Sequence, residues 1–334
     1  MPPNQNVLIT GGYGCIGAET AKWLLKNSDA AVVICSRTVS SGRSQRVFHD
    51  ADRSRLTFIE ADVSDQRLLE QILNEQEITD VVHMAALQTP DCNAHRDLGL
   101  QINLAGTQNL IEAMKASGRA FDRYIFASSI AVYGPRAAYP AGRVPMLAEP
   151  QPVNVYGAWK LAGEYISKFF WEDTSVPTLS LRPGVLYGPG RDAGLTASPT
   201  TAMKCLALGL PFEIPFRSRQ DYQYAPDVGG AVASAVLEPF DGYGVFTLPS
   251  RTLETEEIVK VMRKVASDLG LGAQFKITVG EEEVPFICDL DYEPFTAAFS
   301  NIPHTALDQA FRESLKIFLD QVDRGWLTEQ DLIR

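Results

Sequence analysis

Short runs dominated by apolar residues alternate with amphipathic segments along the first half of the chain. NVLIT (6–10), AVVIC (31–35), LTFIEAD (56–62), DVVHMAA (80–86), RYIFASS (123–129) and TLSLRP (178–183) have the length and β-branched content of buried strands. Between them, 16–27, 65–75, 97–116 and 154–172 carry apolar residues at helical spacing. Strands apolar on both faces and alternating with helices predict a parallel sheet covered on both sides. The handedness of the crossovers favours a doubly wound α/β sheet. After Pro183 the pattern changes: glycine and proline crowd 183–194, and later apolar segments are shorter and less regular. The expected division is a sheet domain of 1–183 plus 226–265 and a smaller C-terminal lobe of 184–225 plus 270–334.

Composition narrows the partners. The chain has 334 residues, 45% hydrophobic, enough for one large domain or two intimate ones. A net charge of −11 argues against nucleic acid or an anionic membrane as a partner. No apolar run approaches the ~20 residues of a membrane span, and MPPNQN at the N-terminus lacks the pattern of a secretory signal. Five cysteines (15, 35, 92, 205 and 288) without a C-x-x-C pair suit reduced thiols, so a cytoplasmic location is expected. Cys92 and His95 in PDCNAH lack further ligands for a metal and read as loop residues.

The stretch LITGGYGCIG places glycines at 11, 14 and 17 between the first strand and the first helix. Such a loop lets backbone approach a pyrophosphate, and the helix start offers free N–H groups and a partial positive charge. The next strand end separates the two nicotinamide dinucleotides. An NAD site usually has an acidic residue there for the adenosine ribose. Here the strand ends in Ser36-Arg37-Thr38, with Arg43 and Arg46 nearby. Ser36 can donate to a 2′-phosphate and Arg37 can pair with it, so NADP is expected, with NAD as the alternative if Arg37 is merely solvated.

Tyr156 and Lys160 in YGAWK are four residues apart on one helix face. A lysine ammonium one turn away would lower the phenol pKa and bind the nicotinamide ribose. FASSIAVYG supplies a hydroxyl, from Ser128 or Ser129, at a predicted strand end. His83 reads as a satisfied buried histidine.

TGGYGCIG (10–17), HMAA (83–86), INLAGTQNLIEA (102–113), FASSIAVYG (126–134), YGAWK (156–160) and LRPGVLYGPG (181–190) occur in this order. Together they resemble the extended short-chain dehydrogenase/reductases, also described as NAD-dependent epimerase/dehydratases, over nearly all of 5–240. The resemblance implies a Rossmann domain with a smaller substrate-binding lobe. It implies that Tyr156 is the acid/base, Lys160 its activator and ribose ligand, and Ser129 the hydroxyl that orients the substrate oxygen. By the same resemblance Gly11, Gly14 and Gly17, with the Cys15 and Ile16 backbone, hold the pyrophosphate. Asp62 and Val63 would meet the adenine, Ala85, Ala86 and Asn103 the middle of the cofactor, and Pro183 to Val185 the nicotinamide. Ser128 would make a cofactor backbone contact. Helices 97–116 and 154–172 resemble the family's pairing surface, so a homodimer is expected, with Tyr165, Phe169, Phe170 and Trp171 as surplus aromatic surface.

Two departures narrow the reaction. Dehydratases of the family carry Asp-Glu after the catalytic hydroxyl, whereas this chain has Ile130-Ala131, which cannot move protons. Nucleotide-sugar members tend to read Arg-Asp where SRQDYQYAPDV has Gln220-Asp221, and neutral Gln cannot clamp a diphosphate. Arg217, Arg219 or Arg191 would have to compensate. The expected activity is NADP-preferring hydride transfer on a small sugar, sugar acid or related hydroxy/keto compound. An NAD(P)-dependent sugar or nucleotide-sugar epimerase and a dinucleotide-sensing binding protein are the alternatives.

Overall fold

The computed structural model describes residues 5–194 and 196–332; residues 1–4, on which most of the N-terminal signal reading rests, lie outside them. The predicted strands form as β1 (Asn6–Thr10), β2 (Ala31–Ser36), β3 (Leu56–Glu60), β4 (Asp80–His83), β5 (Arg123–Ala127) and β6 (Thr178–Arg182). A seventh, Tyr243–Thr247, pairs with β6, giving the order seventh–β6–β5–β4–β1–β2–β3, parallel throughout. The order reverses between β1 and β4, where Thr10 sits opposite His83. Open parallel sheets bind ligands in the crevice beyond the strand ends at such a point.

Side-chain alternation explains the layers. Val7, Ile9, Val32 and Ile34 face one side, packed by helices Cys15–Asn27 and Ala225–Leu237. Leu8, Val33, Cys35, Tyr124 and Phe126 face the other, with helices Gln66–Glu75 and Gly106–Ala116 and with Phe170 from helix Val155–Thr174. Both faces are therefore buried, as the doubly apolar runs require. Gly229 lets the first pair of helices touch: a Cβ there would lie 2.5 Å from the Glu19 carbonyl carbon.

A second hydrophobic cluster gathers Met203, Leu206, Tyr222, Met262 and Phe311 around two small sheets. It departs from the expected division in two places. Helix Thr255–Asp268 packs here through Ile258, Met262 and Val265, because strand Arg251–Glu254 just before it pairs with Arg219–Tyr224 rather than with the large sheet. Conversely, Phe295 and Phe299, expected in the smaller lobe, pack edge-on against Phe246 of the seventh strand.

The predicted helix 97–116 is also interrupted. Arg96–Gly99 runs into a π-helical turn, Leu100–Ala105, before Gly106–Ala116 continues as α-helix. Such wide turns gather at functional sites, and this one buries Ile102 and Asn103 together.

Candidate active site

A cavity of about 800 Å³ lies at the carboxyl ends of β1, β2, β4, β5 and β6. Its wall includes Gly11, Gly14, Cys15, Ile16 and Gly17 from the first turn, Ser36 and Arg37 after β2, and Ala85 and Ala86 after β4. Val63, Ser129, Tyr156, Lys160, Pro183 and Val185 also line it, so the sequence-predicted residues converge on one space. Two do not reach it. Asp62 turns its carboxylate to the Ser64 N–H at 2.8 Å, and Asn103 is buried behind the wall.

The first turn is built for close approach. Gly11 has φ +65°, and a Cβ on it would lie 2.8 Å from the Ala85 backbone nitrogen. A Cβ on Gly17 would lie 2.9 Å from the Gly12 Cα. Helix Cys15–Asn27 starts at Gly14 with no side-chain cap on its first N–H groups. A pyrophosphate fits that helix start.

The opposite strand end is held by a relay that sequence reasoning reduced to one buried histidine. Ala85 N–H donates to Thr10 Oγ1 at 3.2 Å, and Thr10 Oγ1 lies 2.7 Å from His83 Nδ1. His83 Nε2 lies 3.1 Å from Thr107 Oγ1, whose proton goes to the Asn103 carbonyl at 2.9 Å. With that hydroxyl proton committed, Nε2 must donate and Nδ1 must accept from Thr10. Asn103 then clamps Leu87 from both sides, accepting from its N–H at 2.7 Å and donating to its carbonyl at 2.9 Å. Asn103 thus acts on the loop lining the cavity, not on a ligand. Burial, with some help from the Lys160 charge, pushes His83 down to about 3 and keeps it neutral.

At the other end Ser129 and Tyr156 share the cavity wall. Lys160 Nζ donates to the Ala127 carbonyl at 2.6 Å and sits 5.7 Å from the centre of the Tyr156 ring. Burial pushes the Tyr156 phenol above its ordinary value, while the Ser129 hydroxyl and the Arg191 charge pull the other way. Lys160 is itself buried and pushed down to about 8. Ser128 also lines the cavity, and its hydroxyl donates to Glu164 Oε1 at 2.5 Å. Glu164 forms a buried, two-pronged pair with Arg182, both contacts 2.7 Å, and Arg182 also reaches the Tyr133 hydroxyl. This network behind the wall was not read from the sequence; its signal was two opposite charges inside strongly apolar elements.

The remaining candidates separate clearly. Gln220 is fully buried and donates to Ser218 Oγ at 2.5 Å, away from the cavity. Arg217 pairs with Glu256 and Arg219 with Asp289, so of the three candidate compensating arginines only Arg191 lines the cavity. Cys92 lies buried in a short helix, Thr89–Ala94, rather than in a loop, and accepts from Asn103 Nδ2 at 3.3 Å. The segment 284–287 also lines the cavity, without any motif to announce it. Arg43 does so too, its guanidinium 4.7 Å from the centre of the Tyr13 ring.

A sequence model of the NAD dependent epimerase/dehydratase family matches residues 7–246. The chain is 32% identical over 196 residues to a D-erythronate dehydrogenase of Cupriavidus necator, covering 54% of this chain and 57% of that one. It is 30% identical over 184 residues to a UDP-glucose 4-epimerase of Erwinia amylovora, covering 53% of this chain and 52% of that one. The chain thus spans about half the length of the curated relatives it matches. The fold superposes on a UDP-N-acetylglucosamine 4-epimerase from Methanobrevibacter ruminantium with TM-score 0.80 at 22% identity, covering 96% of this chain and 99% of that one. A Thermus thermophilus UDP-glucose 4-epimerase, solved in complex with NAD, superposes with TM-score 0.78 at 23% identity, covering 94% of this chain and 99% of that one.

The His83 relay predicts an acid-side loss of stability. Unfolded His83 titrates near 6.5 and folded His83 near 3. As pH falls through that window the unfolded chain takes up a proton that the folded chain refuses, so stability declines by up to ~1.4 kcal/mol per pH unit from this residue. Urea midpoints at pH 7 and pH 5 should therefore drop more for wild type than for His83→Gln.

Proposed function

Since the chain belongs to the NAD dependent epimerase/dehydratase family of extended short-chain dehydrogenase/reductases, we propose that it is an oxidoreductase acting on a small hydroxy or keto compound, a free sugar, sugar acid or relative, with NADP as cofactor. The observation that carries the reading is the meeting of Tyr156, Ser129 and Lys160 on a wall that continues into the glycine turn. The D-erythronate dehydrogenase relative supports a small polyhydroxy substrate. Gln220, turned into the core, supplies no charge for a sugar-nucleotide diphosphate, and this favours net oxidation or reduction over epimerisation.

The cavity suits the cofactor. Bare helix-start N–H groups face the space a pyrophosphate would fill. Arg37 and Arg43 line the end beyond β2, and no carboxylate lines the cavity among the described residues. A 2′-phosphate would find two cations there, which supports NADP over NAD. When bound, the nicotinamide ring supplies or accepts the hydride. The protein handles the proton. Tyr156, held protonated by burial, donates its phenolic proton to a substrate carbonyl oxygen during reduction and takes it back from the hydroxyl during oxidation. Ser129 fixes the phenol and shares the substrate oxygen. Lys160, anchored on the Ala127 carbonyl, fixes the helix register and lies where a ribose hydroxyl would bind.

We also propose a homodimer. Phe170 packs on Tyr124 and Trp171 stacks on Tyr243, so the expected aromatic set is partly internal. Tyr165 and Phe169 remain exposed on helix Val155–Thr174, which packs on the π-turn, and Leu98 before that turn and Leu100 at its start are exposed too. A second copy of this face would cover that apolar surface.

Tyr156→Phe should lose more than nine-tenths of turnover while retaining NADPH binding; loss of neither would refute the acid/base assignment. In wild type the oxidation rate should rise with pH above neutrality, because the protonated phenol must first be emptied, and the reduction rate should not. Light scattering at micromolar concentration should give twice the 36.7 kDa chain mass. A value at the chain mass would exclude the dimer.

A further inference from the structure

We infer that Arg191 is a carboxylate anchor and that the substrates of this site are hydroxy acids, not neutral polyols. The inference rests on the hydride-transfer reading above and names its substrate class. Arg191 stands in the wall of the cavity near the Tyr156 phenol, on which its positive charge acts. Its guanidinium is held in place by neutral partners only: Nη1 donates to Gln88 Oε1 at 3.1 Å and Nη2 to Thr196 Oγ1 at 3.2 Å.

Gly194 closes against it. With φ +106°, a Cβ at that position would lie 2.9 Å from Arg191 Nη2 and 2.2 Å from Gln88 Oε1. The arginine is therefore seated in a fitted cradle rather than waving in solvent.

The cradle leaves the charge uncompensated. Among the described residues no carboxylate forms an ion pair with Arg191, and the adjacent Asp192 is engaged by Lys204 at 2.5 Å. Arg191 Nε is buried without a hydrogen-bond partner. A guanidinium carries five N–H donors, of which two are used here, so the site retains both charge and donors for an anion. Leaving a partly buried cation unpaired is costly, and a carboxylate accepts charge-assisted bonds from this fork better than any neutral group.

Two anions could come here, the substrate's carboxylate or the cofactor's pyrophosphate, since Arg191 also acts on Cys15 in the glycine turn. The pyrophosphate already has the helix start and the glycine backbone. The other cation at this end, Lys160, is anchored on the Ala127 carbonyl where a ribose hydroxyl would bind, which leaves Arg191 for the substrate. The carboxylate assignment follows. In the reaction the oxidised nicotinamide would take up the carbinol hydrogen as hydride; the O–H proton passes to Tyr156 once the phenol has released its own proton to solvent, and the carboxylate on Arg191 is unchanged.

The test compares aldonates of four to six carbons with the matching aldonamides, which differ only in charge at that group. Wild type should prefer the acids, and Arg191→Gln should lower the aldonate-to-aldonamide ratio of kcat/KM about ten- to hundredfold, the worth of one charged hydrogen bond. Arg191→Lys, which keeps the charge without the fork, should fall between them and covers the case in which the glutamine variant does not fold. NADPH affinity, read by fluorescence, should change by less than about threefold. An unchanged ratio overturns the inference, and so does a loss of NADPH binding that matches the loss of turnover, which would give Arg191 to the pyrophosphate. Should wild type turn over none of these compounds, the hydride-transfer reading fails by itself. Calorimetry of D-gluconate with the NADP complex then decides: binding lost in Arg191→Gln upholds the carboxylate anchor, and equal or absent binding overturns it.

Discussion

The turn after β1 and the backbone leaving β4 come so close that no side chain fits between them. The Cβ position of Gly11 lies 2.8 Å from the Ala85 nitrogen, and that approach makes the floor of the cavity. Glycine permits it from one side, through a positive φ that other residues rarely adopt. From the other side it is enforced by the hydrogen-bonded line from Ala85 through Thr10, His83 and Thr107 to Asn103, which closes on Leu87. The line links β1, β4 and the π-turn before helix Gly106–Ala116, and so ties together the strand ends that line the cavity. A neutral His83 is the only tautomer-bearing member, and its burial guarantees that neutrality.

Electrostatics divide the cavity into two ends. Arg37 and Arg43 line one, Lys160 and Arg191 the other, and no carboxylate opposes them among the described lining residues. In a chain of net charge −11 this is a local inversion of sign. It favours anionic ligands by field as well as by contact. Three acidic groups near the site have structural partners: Glu164 has Arg182 and Ser128, Asp62 has Ser64, and Asp192 has Lys204.

Much of this was legible in the chain. The six strands of the first half, the glycine turn and the Tyr156–Lys160 pair follow from local pattern, because each depends on residues adjacent in sequence or one helical turn apart; Ser129 joined them through the family resemblance. What was not legible depends on long-range packing. The strand ends place Asp62 and Asn103 near the cofactor in the linear pattern, yet short polar side chains find backbone partners first and turn away. Helix Thr255–Asp268 carries an ordinary amphipathic pattern that says nothing about which of two cores it will cover. Arg191 differed from Arg217 and Arg219 only by its neighbours in space: two of the three have acidic partners, and the third has Gln88 and Thr196.

The close approach at Gly11 is the claim on which the site stands, and fluorescence titration with NADPH and NADH tests it directly in wild type and in Gly11→Ala. Wild type should bind one dinucleotide per chain, NADPH more tightly than NADH. Gly11→Ala, with its far-ultraviolet circular dichroism intact, should bind neither with comparable affinity, because the added Cβ pushes the glycine turn off the β4 exit and widens the floor. An alanine variant that binds NADPH as tightly as wild type would contradict the account.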